Sequence, residues 1–254
     1  MRIPIWVVPA IAFLLSAAVG EAHAQFFLGA GVEYFSWRED TQPTEVKETG
    51  PRAVLTLGFT QPKSSGLLFA YRGRLYAGEV DYDGALLFSP SVAVHGNTCY
   101  WGASNEVQLR YRVQPRFDLL AGIGLDGWRR ELSANQKEDY YIAFARLGAE
   151  YNPVGLGWTA GAGLQYPVWT HENAYFGDLG YDQNPELRPG KQLSGFGQVG
   201  YRFGSHWAVL GYVESYRFKE SNVVFVTRGG TGTTAFVQPA TDSYVIGLKA
   251  EYLF

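Results

Sequence analysis

Apolar and polar residues alternate along most of the chain beyond residue 24. The stretch 105–114 shows the pattern most clearly, because Val107, Leu109, Tyr111 and Val113 are separated by charged or amide residues. A period of two predicts a β-strand with one apolar and one polar face. About ten such segments follow one another, at 26–37, 52–60, 67–76, 100–113, 117–128, 140–151, 156–168, 192–202, 207–218 and 243–254. The pattern therefore predicts an all-β protein.

The connections between these segments alternate between short and long. Short connections rich in Pro and Gly occur at 61–66, 114–116, 152–155 and 204–206. Longer polar connections occur at 38–51, 77–99, 129–139, 169–191 and 219–242. Hairpins with short turns at one end and long loops at the other are typical of barrels that span a membrane. We expect a closed antiparallel up-and-down transmembrane β-barrel of about ten strands, with eight or twelve as alternatives. A soluble lipocalin-like barrel is the alternative fold.

The polar faces of the strands carry charges of both signs. An outward-facing arginine at the middle of a bilayer costs about 2–4 kcal/mol, so the apolar faces are expected to contact lipid and the charged faces to line the lumen. Arg52, Asp118 and Glu251 fall on this inner face. The predicted lumen charge network consists of Glu33, Arg72, Arg74, Glu106, Arg110, Arg112, Arg146, Glu150, Glu214 and Lys249.

This network has two interpretations. The charges could line a gated or selective conduit, or they could pair with one another and fill a closed barrel. The interior of a barrel of about eight strands is just filled by side chains, whereas aqueous channels belong to much larger barrels. The strand number therefore favours the closed, salt-bridged interior.

Aromatic residues make up 16% of the chain and cluster near the predicted strand ends, where they favour the headgroup level of a membrane. Those at the periplasmic ends are Phe26, Phe117, Tyr151, Tyr201, Phe203, Trp207, Tyr252 and Phe254. Those at the opposite ends are Trp37, Tyr100, Trp101, Trp128, Tyr140, Tyr141, Trp169 and Tyr216. We expect them to form two interfacial girdles. Within the last long connection, 225–237 has two apolar runs around a Gly/Thr turn and is expected to form a hairpin above the membrane.

The first 24 residues have a different composition. Arg2 precedes an apolar run that ends in Ala22-His23-Ala24, the layout of a secretory signal cleaved before Gln25. We expect residues 1–24 to be a cleaved signal peptide and 25–254 to form one barrel domain. A net charge of -3 gives no nucleic-acid footprint, and the single cysteine, Cys99, excludes an internal disulfide framework, although an intermolecular disulfide stays open.

The C-terminal segment YVIGLKAEYLF, together with the AHA ending and the alternating strands, resembles the small outer-membrane β-barrel proteins of Gram-negative bacteria. The resemblance implies a location in the cell outer membrane and contact with outer-membrane lipid. It also implies recognition by periplasmic chaperones and by the barrel-assembly machinery, which reads a final aromatic residue in that class. By this resemblance Leu248, Tyr252 and Phe254 form the assembly signal. No loop motif identifies a subfamily or a surface partner.

Candidate catalytic chemistry is sparse. Enzymatic barrels such as omptin proteases and lipid A-modifying hydrolases need a histidine with Asp or Ser at the rim, and His95, His171 and His206 show no diagnostic spacing. We expect no enzyme, no cofactor, no metal and no nucleic-acid partner. The expected role is structural or surface interaction through five long loops. A small-solute channel is the alternative, and a hydrolase at the barrel rim is the third hypothesis.

Overall fold

The computed structural model describes residues 24–61, 66–86, 89–153 and 155–254. The predicted signal peptide lies outside the described residues except for Ala24, as do four residues of the predicted turn at 61–66. In the parts of the chain just given, no helix is long and apolar enough to cross a membrane.

Strands account for most of the described chain. They are β1 (Gln25–Glu39), β2 (Val46–Thr60), β3 (Gly66–Leu86), β4 (Ser89–Gln114), β5 (Phe117–Glu131), β6 (Lys137–Tyr151), β7 (Gly157–Ala174), β8 (Glu186–Leu187), β9 (Gly190–Lys191), β10 (Ser194–Phe203), β11 (Trp207–Lys219), β12 (Val224–Arg228), β13 (Thr231–Phe236) and β14 (Thr241–Leu253). A short 3₁₀ helix, η1 (Phe176–Leu179), follows β7.

Ten of these strands form a closed ring of antiparallel neighbours. Strands β1 to β7 pair in chain order, β7 pairs with β10, β10 with β11, and β11 with β14. The ring closes between β14 and β1, where the register runs from Phe27 opposite Leu253 to Glu39 opposite Thr241. The predicted up-and-down barrel of ten strands is confirmed. Closure leaves no unpaired edge in the barrel wall.

The two faces of the wall differ as the alternation predicts. In β4, Leu109 is 49% exposed on the outer surface and the neighbouring Arg110 is 1% exposed in the interior. We call the outward-facing aliphatic surface the apolar band. Its members include Leu28, Val32, Leu55, Leu57, Leu67, Leu75, Leu109, Leu119, Ile123, Leu125, Leu147, Leu164, Val199, Val209, Val213, Ile246 and Leu248. An aliphatic surface around a charged interior is the arrangement of a membrane-embedded barrel.

The wall extends further than predicted beyond the apolar band. Residues 129–139 were expected to be a long loop, yet β5 and β6 leave only 132–136 between them. Similarly, 77–86 and 89–99 form the outer half of the β3–β4 hairpin, and only 40–45 separate β1 from β2. The expectation of five long loops is therefore wrong. Outward-facing positions become polar where the strands leave the membrane. In the sequence this loss of alternation indicated the end of a strand.

The predicted outer girdle is also partly wrong. Trp37, Tyr100, Trp128, Tyr140 and Tyr216 are buried inside the barrel, at 1–9% exposure, whereas they were placed on its outer surface. Their positions keep the inward parity of their strands above the apolar band. Trp101, Tyr141 and Trp169 do lie on the outer surface, and Trp169 is 48% exposed.

The two remaining long connections, 175–193 and 220–240, form a structured cap. The predicted hairpin at 225–237 is present as β12 and β13. Phe176, Val226 and Phe236 pack together with Ala174 at the end of β7. The Asp182 carboxylate also accepts hydrogen bonds from the Thr227 hydroxyl and from backbone N–H groups of the hairpin turn. The cap is therefore held by its own small core.

Candidate functional site in the barrel interior

The middle of the lumen is organised around Glu33 on β1. Arg52 on β2 donates to Glu33 Oε1 from Nε and Nη2, at 2.9 and 2.6 Å. The Tyr212 hydroxyl donates to the other oxygen at 2.6 Å, and Arg74 Nη1 lies 3.5 Å from it. Because Glu33 and Arg52 are only 2% and 4% exposed, their charges must be compensated inside the barrel.

A second group links strands on opposite sides of the lumen. Glu214 on β11 lies 3.1 Å from Arg74 and 3.2 Å from Arg146. Arg146 in turn contacts Glu106 at 2.9 Å and the Gln165 side chain at 2.6 Å. These bridges run across the barrel, so they tie its walls together and fill its cross-section.

The half of the lumen next to the short turns is closed in the same way. Glu150 is 2% exposed and pairs with Arg110 at 2.6 Å and Arg72 at 3.0 Å. Nearer the turn between β4 and β5, Arg112 binds both oxygens of Asp118 from Nε and Nη2, at 2.5 and 2.9 Å. Paired charges of both signs therefore continue to this end of the barrel.

The structure places every residue of the predicted charge network in the interior. One connected set of bridges contains Glu33, Arg74, Glu106, Arg146 and Glu214, and a second contains Arg72, Arg110 and Glu150. Arg112 pairs separately with Asp118, and Lys249 pairs with Glu251 at 2.8 Å. The predicted assembly residues lie elsewhere: Leu248 and Phe254 are exposed on the outer surface, at 56% and 67%, and Tyr252 is half-buried. Their role in assembly stays a prediction.

The described residues enclose small cavities along the lumen, among them three with volumes of about 70, 30 and 50 Å³. Arg74 and Glu214 separate the first from the second, and Arg72 and Gln198 separate the first from the third. Each volume has room for only a few water molecules. Side chains, rather than open space, therefore separate the two ends of the barrel.

Above the arginine network the lumen is filled by an aromatic layer. Its members are Phe35, Trp37, Val54, Tyr76, Val80, Tyr100, Trp128, Tyr140, Ile142, Phe144, Tyr216, Phe218 and Val245. The Arg52 guanidinium lies 4.0 Å from the Phe35 ring centre and 4.4 Å from that of Tyr76, so cation–π contacts join the two layers. Trp128 stacks on Tyr140 with ring centres 5.1 Å apart.

A group of four carboxylates lies next to the aromatic layer, directly beneath the cap. Arg130 donates to Glu48 at 2.6 Å, to Glu138 at 2.7 Å and to Glu39 at 2.9 Å. Glu172, which lies opposite Tyr140 across β6 and β7, is the fourth member and is 1% exposed. We call these five residues the outer carboxylate cluster. Among the described residues, a single guanidinium forms ion pairs in this group of four acids, so negative charge is in excess here if all four are ionised.

The sequence pattern missed this cluster for two reasons. Arg130 and Glu138 were assigned to a loop, although both keep the inward parity of β5 and β6. Glu172 was also assigned to a loop, at 169–191, and extending the alternation would not have placed it inside because β7 contains a bulge. Ala143 pairs with Trp169 and Phe144 with Pro167, which leaves Val168 as an extra residue. Strict alternation through Val168 would turn Glu172 outward. A register shift of this kind has no reliable signature in a single sequence.

The three histidines of the described residues lie apart. His171 stacks on the outer surface between Tyr141 and Trp169, with ring centres 6.2 and 5.7 Å away. His206 Nδ1 lies 2.9 Å from the Leu253 carbonyl oxygen, and His95 lies 3.2 Å from Asp83 on the β3–β4 hairpin. Within the described ranges, no group of three or more His, Cys, Asp or Glu residues is arranged to hold a metal ion. Cys99 is exposed and forms no disulfide there.

Comparisons with known proteins identify similar folds. No protein-family model matches the chain, and no curated sequence is significantly similar. The outer membrane protease OmpT from Escherichia coli superimposes with a TM-score of 0.56, at 10% identity, over 93% of this chain and 98% of that one. An outer membrane channel from Pseudomonas putida F1 gives 0.43 at 12% identity, over 90% and 95%. The NalP translocator domain from Neisseria meningitidis gives 0.37 at 11%, over 96% and 94%.

One of these neighbours corrects a sequence-based expectation. The protein was expected not to be an enzyme. That expectation is wrong, because an outer membrane protease has a similar fold and the architecture therefore does not exclude enzymatic activity. The low identity means that the similarity extends to the fold alone. The closed ring of ten strands and its aliphatic outer surface agree with that similarity, and the chain is a transmembrane β-barrel of the outer-membrane type.

Proposed function

We propose that this protein is a closed outer-membrane barrel that presents its cap and outer strand ends for interaction at the cell surface. The observation that carries the proposal is the filling of the lumen from end to end. The outer carboxylate cluster, the aromatic layer and the arginine bridges succeed one another along the barrel. A solute would have to displace all three.

The energetics of the arginine bridges support a closed state. Moving Arg146 aside would take away the ion-pair partner of the buried Glu106 carboxylate, and moving Arg74 as well would do the same for Glu214. Breaking one buried ion pair typically costs about 3–5 kcal/mol, because the remaining charge is left uncompensated. Opening a path would break several such pairs together.

The outer end has the features of a presented surface. The cap has its own apolar core, and the β3–β4 hairpin extends above the membrane with exposed residues on both faces around Val92. Strands anchored in the membrane position these segments, so a partner meets a preformed surface. In this proposal the assembly machinery reads Leu248, Tyr252 and Phe254, and periplasmic chaperones protect the apolar faces before insertion.

Planar-bilayer recording of the refolded protein tests the proposal. The wild-type barrel is expected to give no unitary currents. Leu109→Ala, which changes only the outer face, is the matched control and should also be silent. Stable wild-type currents whose ion selectivity changes in Arg74→Gln would instead establish a channel.

A second candidate function is acid–base catalysis in the outer carboxylate cluster. The observation in its favour is that Glu172 Oε2 and Trp128 Nε1 are both buried without a hydrogen-bond partner among the described residues. Two carboxyl groups in different environments are the usual basis for assigning an acid and a base. Glu138 has Arg130 as partner, whereas Glu172 shows no such ion pair.

Hydrolysis of fluorogenic peptides and of nitrophenyl esters by the refolded barrel tests this second function. Activity that is lost in Glu172→Gln and kept in His95→Gln would establish it. If the wild type, folded as judged by its heat-dependent gel migration, hydrolyses neither substrate class, this candidate is rejected for both.

A further inference from the structure

A depression with a volume of about 520 Å³ lies on the outer surface of the barrel, above the apolar band. Tyr166 and Trp169 of β7 form one side of it. Arg188, Pro189 and Lys191, from the segment that contains β8 and β9, form the other. This depression is separate from the lumen and from the outer carboxylate cluster.

Both sides of the segment 186–191 are fixed to the wall. On the β7 side, Leu187 pairs with Glu172, and the Thr170 hydroxyl donates to the Pro189 carbonyl at 2.6 Å. On the β11 side, Lys191 pairs with Phe218. The backbone N–H of Arg188 also donates to the Asn222 side chain at 2.8 Å. The depression is therefore preformed, which reduces the entropic cost of binding.

Its polar groups are suited to an anion. Arg188 and Lys191 are both exposed, and no acidic side chain lines the depression; Glu186, two residues before Arg188, lies outside it. Lys191 Nζ donates to the Val168 carbonyl at 2.5 Å, which positions the ammonium and leaves two N–H groups available. The Arg188 guanidinium makes no hydrogen bond or ion pair within the described part of the chain.

Its apolar side continues into the membrane. Tyr166, Val168 and Trp169 are 42–48% exposed, and Leu193 below Lys191 is 54% exposed. Along β7 the next outward residue toward the periplasm is Leu164, a member of the apolar band. Aromatic residues favour the headgroup level, and long cationic side chains reach it from the bilayer edge. A ligand here would have its charged part against Arg188 and Lys191 and its hydrocarbon part against the wall.

We propose that this depression binds the phosphate-bearing headgroup of an outer-leaflet lipid, with the guanidinium of Arg188 and the ammonium of Lys191 as its two donors. Arginine can hold two phosphate oxygens at once, and lysine adds a second point of charge. Continuity with the apolar band is the reason for choosing a lipid over a water-soluble anion. The inference goes beyond the proposed surface role and does not require the lumen to be closed.

Native mass spectrometry of the full-length folded barrel in detergent tests the site. The probes are dioleoyl phosphatidic acid, the matched diacylglycerol, which lacks the phosphate, and inorganic phosphate. The test variant is Arg188→Gln/Lys191→Gln, in which glutamine can still donate to Val168. The matched control is Arg38→Gln/Lys47→Gln, which also removes two exposed cations. These two residues lie opposite each other in the register of β1 and β2, on the other side of the ring.

We expect the wild type and the control variant to retain phosphatidic acid, and the test variant to bind it about tenfold or more weakly, as loss of charge-assisted contacts requires. Diacylglycerol should not be retained. The proposal is overturned if both double variants lose the same affinity, because the effect is then general electrostatics. It is equally overturned if diacylglycerol binds as well as phosphatidic acid, or if inorganic phosphate competes at equal concentration. Unchanged heat-dependent gel migration of both variants shows that they are folded.

Discussion

Arg130 on β5 donates to a single oxygen of Glu48 on β2, from Nε at 3.0 Å and from Nη2 at 2.6 Å. The two strands are three apart in the ring, so this contact crosses the outer end of the barrel. The same guanidinium contacts Glu39 and Glu138, while Tyr100 donates to the other oxygen of Glu48. One cation therefore holds together acids from three strands that would otherwise repel one another.

The first prediction compares the two signs of charge in this cluster. Arg130→Gln should destabilise the barrel by about 3–5 kcal/mol, because it leaves buried carboxylates uncompensated. Glu172→Gln should be neutral or stabilising, since it removes a surplus negative charge and keeps the shape of the side chain. Urea unfolding in detergent, followed by tryptophan fluorescence, measures both. Equal destabilisation by the two variants would contradict the charge imbalance.

The second prediction contrasts a buried ion pair with an exposed one. Arg112 and Asp118 form a two-point pair at 6% and 0% side-chain exposure, whereas Arg217 and Asp242 pair at 55% and 62%. Arg112→Gln is expected to cost several kcal/mol, and Arg217→Gln only about 0–1 kcal/mol. Only the small Arg217→Gln effect should diminish further in high salt. The same unfolding assay in low and high salt decides the matter.

The third prediction concerns a close approach between neighbouring strands. A Cβ placed on Gly247 would lie 2.3 Å from Cζ of the Tyr212 ring, and that tyrosine donates to Glu33. Gly247→Ala should therefore push Tyr212 away and cost about 1–3 kcal/mol through overpacking. Gly211→Ala is the matched control, because its nearest atoms are 3.9 Å away. Similar stability of the two variants would show that Tyr212 can move without loss.

The fourth prediction concerns pH and the cap. The Thr227 hydroxyl and the backbone N–H groups of Gly230 and Gly229 lower the pKa of the Asp182 carboxyl below its ordinary value. Because the pKa of Asp182 is lower when the hairpin is docked than when it is released, the ionised carboxylate stabilises the docked hairpin fully above its ordinary pKa. This stabilisation is lost as the pH falls through the lowered pKa.

Hydrogen exchange of the Gly229 and Gly230 backbone amides measures whether the hairpin stays docked on Asp182. Protection in the wild type should fall at acid pH relative to the intrinsic exchange rate. Asp182→Ala, which removes both acceptor oxygens, should show the low protection at every pH, and a protection in this variant equal to that of the wild type would argue against the contact.

How far the sequence predicts this structure depends on what surrounds each strand. Within the membrane, lipid requires apolar residues at every outward position, so the alternation is visible and Leu109 and Arg110 could be assigned to opposite faces correctly. Above the membrane, outward positions contact water and can be polar, so the sequence of β5 around Arg130 has the polar composition of a loop. The inward positions still alternate there, and Trp128 and Tyr140 could have been placed inside on parity alone.

The outer carboxylate cluster and the depression beside β7 could not be predicted from the sequence for a different reason. Glu172 faces inward only because of the extra residue in β7, and Arg188 reaches the wall only because β8 and β9 fill the gap above the short strand β10. Both depend on pairings between distant segments. Local periodicity contains no information on these pairings.

The seam between β1 and β14 has a consequence for how the molecule is made. Twelve other strands come between these two in the chain, yet Phe254 donates its backbone N–H to Phe26 at 2.9 Å. Every partly assembled form therefore carries two open hydrogen-bonding edges, and the loop that must close is almost the whole polypeptide. Contacts so distant in sequence form slowly, and unpaired edges invite aggregation in the meantime. Closure of the seam between β1 and β14, the last step of folding, is therefore the step at which this barrel depends most on factors that protect or align its strand edges.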